Sequence, residues 1–409
     1  MCLLAPGAGE GAVFFIGIDG ADSVLVADLV KAKRMPHLAA LIENGVQGEL
    51  DTLSPLPLNS PVIWTSMATG KGYKKHGISD FFKPNKRELF LGADRKVPAL
   101  WNMVSSRQKT VGVVGYLMTY PVEAVNGVMV SDNYFSLLGP QRVVYPGGRT
   151  LKLSRTYNFE KDDTIITAAQ IAGIPLNYDF IFMPSLNTYD SQDFQEHYIF
   201  DQFVGYMQRD TGFARLDEEL LEKDKFDLFI TYFLGVDFVS HLVWGRYEAA
   251  KSGAKVVFGG LIPAYYAYMD ELIGRVLAKA GKEDTVIVVS DHGFKLRAVA
   301  GPLTVLSGCH RPGGIFVAKG PGIKSGIRLK KPLMDWDIAP TVLYLMGLPA
   351  ARDMDGKIAE EIFKEDYLAA HPASYIDRYP MPAADADVHQ TWPFTLQEFE
   401  RLRSSGYLQ

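Results

Sequence analysis

The chain has 409 residues, 47% hydrophobic and 22% charged, and its 42 Lys and Arg against 47 Asp and Glu leave a net charge of -5. That length allows two or three domains or one large α/β unit, and the composition excludes disordered, collagenous and coiled-coil chains. No basic surplus is available to neutralise a nucleic-acid backbone, so nucleic-acid binding is not expected. The two cysteines, Cys2 and Cys309, exclude a disulfide scaffold and a thiolate zinc cluster. No run reaches the ~18 apolar residues of a transmembrane helix.

The apolar run Val13–Ile18 breaks at Asp19-Gly20, which predicts a buried strand ending in a turn with a carboxylate at its carboxyl end. Pro36 then opens a helix with Leu38, Leu41 and Ile42 on one face, stopped by Asn44-Gly45. A further helix is expected over 98–106, followed by strands at 110–116 and 128–130. Residues 133–225 are rich in aromatics and turn signals with little periodicity, and read as an insertion or cap. Strand signals resume at Leu228–Phe233, then a helix with Tyr265, Met269, Leu272, Ile273 and Val276 on one face, then strands at 285–290 and 315–318. A helix over 338–346 is stopped by Gly347 and Pro349. This alternation predicts an α/β fold with a central, mostly parallel sheet flanked by helices.

Candidate ligands stand next to four of these strands. Asp19 follows the first, Asp237 follows 228–233, Asp291 and His292 follow 285–290, and His310 precedes 315–318. Open α/β sheets bind ligands outside the carboxyl ends of their strands, so the first three groups can converge, whereas His310 must reach the same edge from a loop. Asp237 and His241, four apart, face the same way on a helical turn. Each fragment has an ordinary explanation: a turn, a solvated helix face, a loop, a surface histidine. Together, three Asp and three His are the ligand inventory for two divalent ions. Ser60 precedes Pro61, and Gly70 closes the segment, so Ser60 reads as the N-cap of a short helix. A hydroxyl there is either a plain cap or a nucleophile, since an anionic phosphate docks at helix N-termini and a metal can make the hydroxyl an alkoxide.

These motifs resemble the alkaline phosphatase superfamily, in particular the type I phosphodiesterase/nucleotide pyrophosphatase family. The resemblance runs from about Phe14 to Lys357, outside a poorly matched 133–200. It is carried, in family order, by Ile18-Asp19-Gly20, Ser60-Pro61-Val62-Ile63-Trp64-Thr65 through Gly70, Gly235-Val236-Asp237 through His241, Ser290-Asp291-His292-Gly293, and His310 through Gly320-Pro321-Gly322-Ile323. Asp337-Ile338-Ala339-Pro340-Thr341 and Met354-Asp355-Gly356 match the closing segment, and Leu402-Arg403-Ser404-Ser405-Gly406-Tyr407 resembles a tail of some members.

The resemblance implies an alkaline phosphatase-like domain over 12–364 that includes the 133–225 cap, with a tail over 365–409 packing on the core. It implies one zinc on Asp237, His241 and His310, a second on Asp19, Asp291 and His292 with Ser60 bridging toward it, and a phospho-serine intermediate; manganese is the alternative metal. The expected activity is hydrolysis of a small phosphate diester (a nucleotide, lipid headgroup or sugar-phosphate diester). Phosphomonoester hydrolysis, phosphotransfer to an alcohol and a non-catalytic binding module are the rivals. Nucleotide pyrophosphatases usually carry Thr as nucleophile and an Asn shortly after it; here Ser60 is followed by Pro61, Val62 and Ile63, and only Asn59 lies adjacent. A sulfatase would need Arg where Trp64 stands. The diester expectation rests on Val62, Ile63 and Trp64 forming an apolar wall beside the phosphate. An extracytoplasmic location is also expected, with Cys2 as a candidate lipid anchor.

Overall fold

The computed structural model describes residues 11–52, 58–84, 88–136, 142–153, 164–173, 192–296 and 308–382. Cys2 and the 402–407 motif lie outside the described residues.

The strands are β1 (Val13–Ile18), β2 (Val46–Asp51), β3 (Val111–Val114), β4 (Gly127–Val130), β5 (Val144–Tyr145), β6 (Leu228–Phe233) and β7 (Thr285–Val289). They continue with β8 (Gly293–Leu296), β9 (Gly308–Arg311), β10 (Gly314–Lys319), β11 (Ile327–Arg328) and β12 (Leu333–Met334). Among the described residues the central sheet runs β11-β2-β10-β7-β1-β6-β3-β4-β5, with β12 also paired to β2. β7, β1, β6, β3 and β4 are mutually parallel. Their carboxyl ends therefore share one edge. β10 runs antiparallel to both β7 and β2, so its start, not its end, lies at that edge.

β1 is apolar throughout because it is buried on both faces, as central parallel strands are. Phe14, Ile16 and Ile18 join one core, and Val13 and Phe15 the other. The first core is covered by the helices Ser23–Lys31, Pro36–Glu43, Gln192–Lys223, Gly235–Lys251 and Leu261–Leu277, the second by Ser60–Thr69, Leu100–Ser105 and Ile338–Leu345. At roughly 1.5 to 3 kcal/mol per fully buried large apolar side chain, these two layers are the main stabilising term.

Three features differ from the sequence reading. The Ser23–Lys31 helix was not expected; Asp22 caps it by accepting from the Val24 and Leu25 amides. β2 was also missed, because its outward positions are polar and only Val46 and Leu50 are buried. Within 133–225, β5 extends the sheet and the Gln192–Lys223 helix sends Phe200, Phe203, Met207 and Phe213 into the first core. The described parts of that region are thus built into the body of the domain. In the tail, Tyr375–Ile376 pairs with Ala350–Ala351 and the Tyr379 hydroxyl donates to the Pro349 carbonyl at 2.7 Å; residues 383–409 lie outside the described residues. No helix of the described residues is long and apolar enough to cross a membrane.

Candidate active site

The carboxyl edge of the sheet brings Asp19, Asp237, Asp291 and His292 together, and each follows the strand expected to deliver it. The Asp19 amide bonds the Phe233 carbonyl at 2.9 Å, continuing the β1–β6 ladder past its last pair. Gly20 then turns with φ +71, and a Cβ there would lie 2.9 Å from the Asp237 Cα. Only glycine fits that approach. Asp237 and His241 sit on the first turns of the Gly235–Lys251 helix, both buried, with His241 Nε2 3.5 Å from Asp237 Oδ1. His310 arrives from the β8–β9 hairpin, just before β10. The antiparallel direction of β10 starts it at the same edge, which solves the problem a parallel strand would have posed for His310.

Ligand atoms form two groups, each within 4.8 Å: Asp237, His292 and His310, and Asp19, Asp291 and His292. His241 adjoins the first group, its Nε2 2.8 Å from His310 Nε2. His292 faces both, with Nε2 3.3 Å from Asp19 Oδ1, 3.3 Å from Asp291 Oδ2 and 3.7 Å from Asp237 Oδ1.

The donor chemistry fits divalent ions. His241 Nδ1 lies 3.2 Å from the Gly308 carbonyl, and His310 Nδ1 lies 2.9 Å from that of Leu58. A carbonyl only accepts, so each Nδ1 carries the proton and each Nε2 presents a lone pair. Both Nε2 atoms converge with Asp237 Oδ1, 2.8 Å from each other and 3.5 and 3.2 Å from that oxygen, as donors to a shared ion would. Asp291 Oδ2 is buried without a hydrogen-bond partner, although Gly20 N donates to its Oδ1 at 3.1 Å. Imidazole and carboxylate donors so arranged suit zinc or manganese.

Electrostatics reports the same crowding. Burial and the neighbouring Asp237 raise the Asp19 carboxyl, and burial with Asp19 raises that of Asp291. Burial also works to raise Asp237, but His241 and His310 outweigh it and hold this carboxyl well below the usual range. Burial pulls His292 down, yet Asp291 and Asp19 push it up to about 9. His310 is lowered to about 3 by burial and by His292.

Ser60 stands at the seam between the two groups, its Oγ 3.2 Å from both Asp19 Oδ1 and His292 Nε2. It is the first residue of the Ser60–Thr69 helix, with Asn59 at the N-cap making no side-chain cap bond. The hydroxyl is therefore turned to the ligand cluster instead of capping the helix, one position later than expected. Asn59 Nδ2 donates to Asp80 Oδ1 at 2.8 Å, which commits one of its two amide hydrogens. The apolar wall also needs correction: Trp64 is fully buried and its Nε1 donates to Asp19 Oδ2 at 3.0 Å, so it points at the Asp19 carboxylate and lies beneath the site.

Sequence reasoning missed Tyr232, whose hydroxyl donates to Asp19 Oδ2; it is one of two polar tips, with Thr231, in the otherwise apolar run Leu228–Phe233. It also missed Asp22, which accepts from Phe294 N at 2.9 Å and from Arg311 at 2.6 Å, tying the His310 hairpin to the Asp19 loop. An Asp three residues after Asp19 carries no separable signal in one sequence.

A family model for type I phosphodiesterase/nucleotide pyrophosphatase matches residues 13–299. Among solved structures, alkaline phosphatase PafA superposes with a TM-score of 0.54 at 11% identity, covering 88% of this chain and 100% of that one. Human ectonucleotide pyrophosphatase/phosphodiesterase 5 gives 0.51 at 13%, covering 87% and 100%. At such identities the likeness is one of fold. The 2,3-bisphosphoglycerate-independent phosphoglycerate mutase of Clostridium kluyveri is 32% identical over 142 residues, 34% of this chain and 24% of the mutase. That of Clostridium perfringens strain SM101 is 27% identical over 245 residues, 58% and 41%. The chain thus spans well under half the length of these curated relatives. With residues 13–299, most of its length, matched by the family model, the chain belongs to the type I phosphodiesterase/nucleotide pyrophosphatase family.

Proposed function

We propose that the protein is a metal-dependent phosphoric ester hydrolase that acts on small phosphate diesters through a phosphorylated Ser60. The observation that carries this reading is the position of Ser60 Oγ, 3.2 Å from Asp19 Oδ1 and from His292 Nε2 at the start of a helix. Asp237, His241 and His310 would hold one divalent ion, and Asp19, Asp291 and His292 the other. Such a pair supplies Lewis-acid polarisation of phosphoryl oxygens and eases loss of a hydroxyl proton at neutral pH.

The chain's own groups do the rest. Asp19 Oδ1 accepts the Ser60 hydroxyl proton in the resting arrangement, which turns an oxygen lone pair outward. The positive end of the Ser60–Thr69 helix favours an incoming anion. The Ser60 Oγ–phosphorus bond forms as the bond to the leaving alcohol breaks, the Ser60 proton ending on that alcohol; water then cleaves the Ser60–phosphorus ester, releasing the phosphomonoester and restoring the Ser60 hydroxyl. Asp19, Asp237, His241, Asp291 and His292 are buried and His310 half-buried, which limits competing water.

Diester preference follows from the cations. A monoester dianion needs a donor for a third non-bridging oxygen. Lys71 is held by Asp353 at 2.7 Å, Lys75 is paired with Asp355, and the Asn59 amide is held by Asp80. A second reading, phosphoryl transfer from Ser60 to an alcohol, is favoured by the mutase relatives.

Metal-replete protein assayed on an aryl phosphate and on its methyl or phenyl diester, with and without an added alcohol, tests both. Higher kcat/KM for the diester with free phosphomonoester as product is expected. A monoester preference above tenfold, about 1.4 kcal/mol, overturns the diester reading. Predominant transfer to the alcohol replaces hydrolysis by the second reading.

A further inference from the structure

We infer that Trp64 and Tyr232 are positioning residues that restrict Asp19 to one outward-facing oxygen and so fix the spacing between Ser60 and the ion on the Asp19 side. The inference rests on the metal-dependent reading above.

Asp19 Oδ2 accepts two hydrogen bonds, from Trp64 Nε1 at 3.0 Å and from the Tyr232 hydroxyl. Both of its in-plane lone pairs are then used. Oδ1 is left to face Ser60 Oγ at 3.2 Å and His292 Nε2 at 3.3 Å. Asp19 can turn both oxygens to an ion only by giving up a buried hydrogen bond. Trp64 and Tyr232 are each 0% exposed, so water cannot replace either donor, and an orphaned buried acceptor is costly.

The two donors come from different layers. Tyr232 belongs to β6, which pairs with β1, while Trp64 is one helical turn beyond Ser60 on the nucleophile's own helix. Trp64 thus links Ser60 to Asp19 by a path of four residues and one hydrogen bond. The indole is itself fixed: Tyr116 OH donates to the Trp64 carbonyl at 2.7 Å, and the Tyr116 and Tyr232 rings pack edge-on against it at 5.6 and 4.9 Å. Gly17 in β1 makes the room, since a Cβ there would lie 2.8 Å from the indole ring. A strand glycine commonly marks such close approach.

The test uses the full chain as wild type, Trp64→Phe, Tyr232→Phe and the double variant. Zinc affinities are measured by chelator competition, cobalt-substituted protein by its visible absorption, and the fold by thermal unfolding in chelator. Wild type should bind two ions. Each single variant should weaken one of them about 10- to 100-fold, as loss of an outer hydrogen bond to a ligand does, and leave the other within about threefold. The cobalt band of the weakened site should change as Asp19 gains freedom to bind through both oxygens. If Trp64→Phe does not fold, Tyr232→Phe, which removes one oxygen and keeps the ring, carries the test.

Unchanged affinities and spectra in variants of a two-metal wild type overturn the inference alone. Equal weakening of both ions, in step with a lower Tm in chelator, overturns it in favour of a purely structural role. A wild type that binds no metal overturns the metal-dependent reading and this inference with it.

Discussion

Asp210, on the Gln192–Lys223 helix, accepts the backbone amide of Gly235 at 2.9 Å, at the first residue of the helix that carries Asp237 and His241. The same carboxylate takes the Leu234 amide at 3.2 Å and the Tyr265 hydroxyl at 2.9 Å. Three donors on one fully buried carboxylate lock the turn between β6 and the ligand-bearing helix, and an anion at a helix N-terminus is stabilising in its own right.

Gly235 has no room for a side chain: a Cβ would lie 1.9 Å from the Tyr265 hydroxyl and 2.5 Å from Asp210 Oδ2. Gly235→Ala should therefore destabilise the protein by about 2 to 4 kcal/mol, the range for opening a buried polar network. Adding Tyr265→Phe removes the nearer atom, so the double variant should lose less than the sum of the two single losses. Urea unfolding of all four proteins gives the answer. Additive losses would mean that Tyr265 and Gly235 do not share the strain.

Metal binding has a signature apart from catalysis. Without an ion, the Nε2 atoms of His241 and His310 crowd each other at 2.8 Å and the carboxyls of Asp19 and Asp291 crowd His292, so chelator should lower the Tm. An ion at one hundred times its Kd stabilises by about 2.7 kcal/mol per site. Asp291→Asn should reverse part of this pattern, because it replaces a buried carboxyl crowded by Asp19 with a neutral amide. The chelated variant should melt above chelated wild type, and zinc should raise its Tm less. A wild-type Tm indifferent to chelator, with no metal found by elemental analysis, is the opposite outcome.

Ser60→Ala removes the oxygen proposed to attack but none of the six Asp and His side chains proposed to hold the ions. Loss of at least ~10²- to 10³-fold in kcat, about 2.7 to 4 kcal/mol of barrier, is expected with both ions retained. Brief incubation of wild type with a diester followed by acid quench should leave on Ser60 a phosphoryl group that still carries the remaining alcohol, detectable by mass spectrometry of the peptide and missing from the variant. An active Ser60→Ala protein would pass the attack to water.

Much of this candidate site's convergence was legible in the sequence because its Asp and His residues follow buried strands whose apolar runs are unmistakable. Val13–Ile18 and Leu228–Phe233 fall where the strands form, residue for residue, and Asp19 and Asp237 are delivered just beyond them. His310 was identified without its route, since nothing in a short run such as Ile315 to Ala318 tells an antiparallel strand from a parallel one. Trp64 was misplaced for a different reason. On a helix buried on every side, periodicity does not say which way a residue points, and the space for the indole is set by Gly17 on another element. Asp210 lies in a stretch whose aromatics concealed a 32-residue helix, so its pairing with Gly235 was beyond any local pattern.

Asp335 offers a test of pH-dependent stability away from the ligands. It is 2% exposed, accepts from Thr52 Oγ1 at 2.8 Å and from the Trp336 amide at 2.7 Å, and has the carboxylates of Asp337 and Asp51 nearby. Burial is the main cause that raises its carboxyl to about 7, with Asp337 and Asp51 adding to it against the two hydrogen bonds. In the unfolded chain an Asp titrates near 4. Between about pH 4 and pH 7 the folded state therefore keeps a proton that the unfolded state has released. Its contribution to stability is fully present below pH 4 and is lost as pH rises through 7. Three units at about 1.36 kcal/mol each give an upper range of about 4 kcal/mol. Asp335→Asn should flatten this dependence, because an amide accepts from Trp336 and can donate to a reoriented Thr52 hydroxyl. Urea unfolding at pH 4.5, 6 and 8 should show wild type and variant nearly equal at the lowest pH and the variant more stable at the highest. A variant that is less stable than wild type at pH 8 would mean that the Asp335 carboxylate is ionised and well paired in the folded protein.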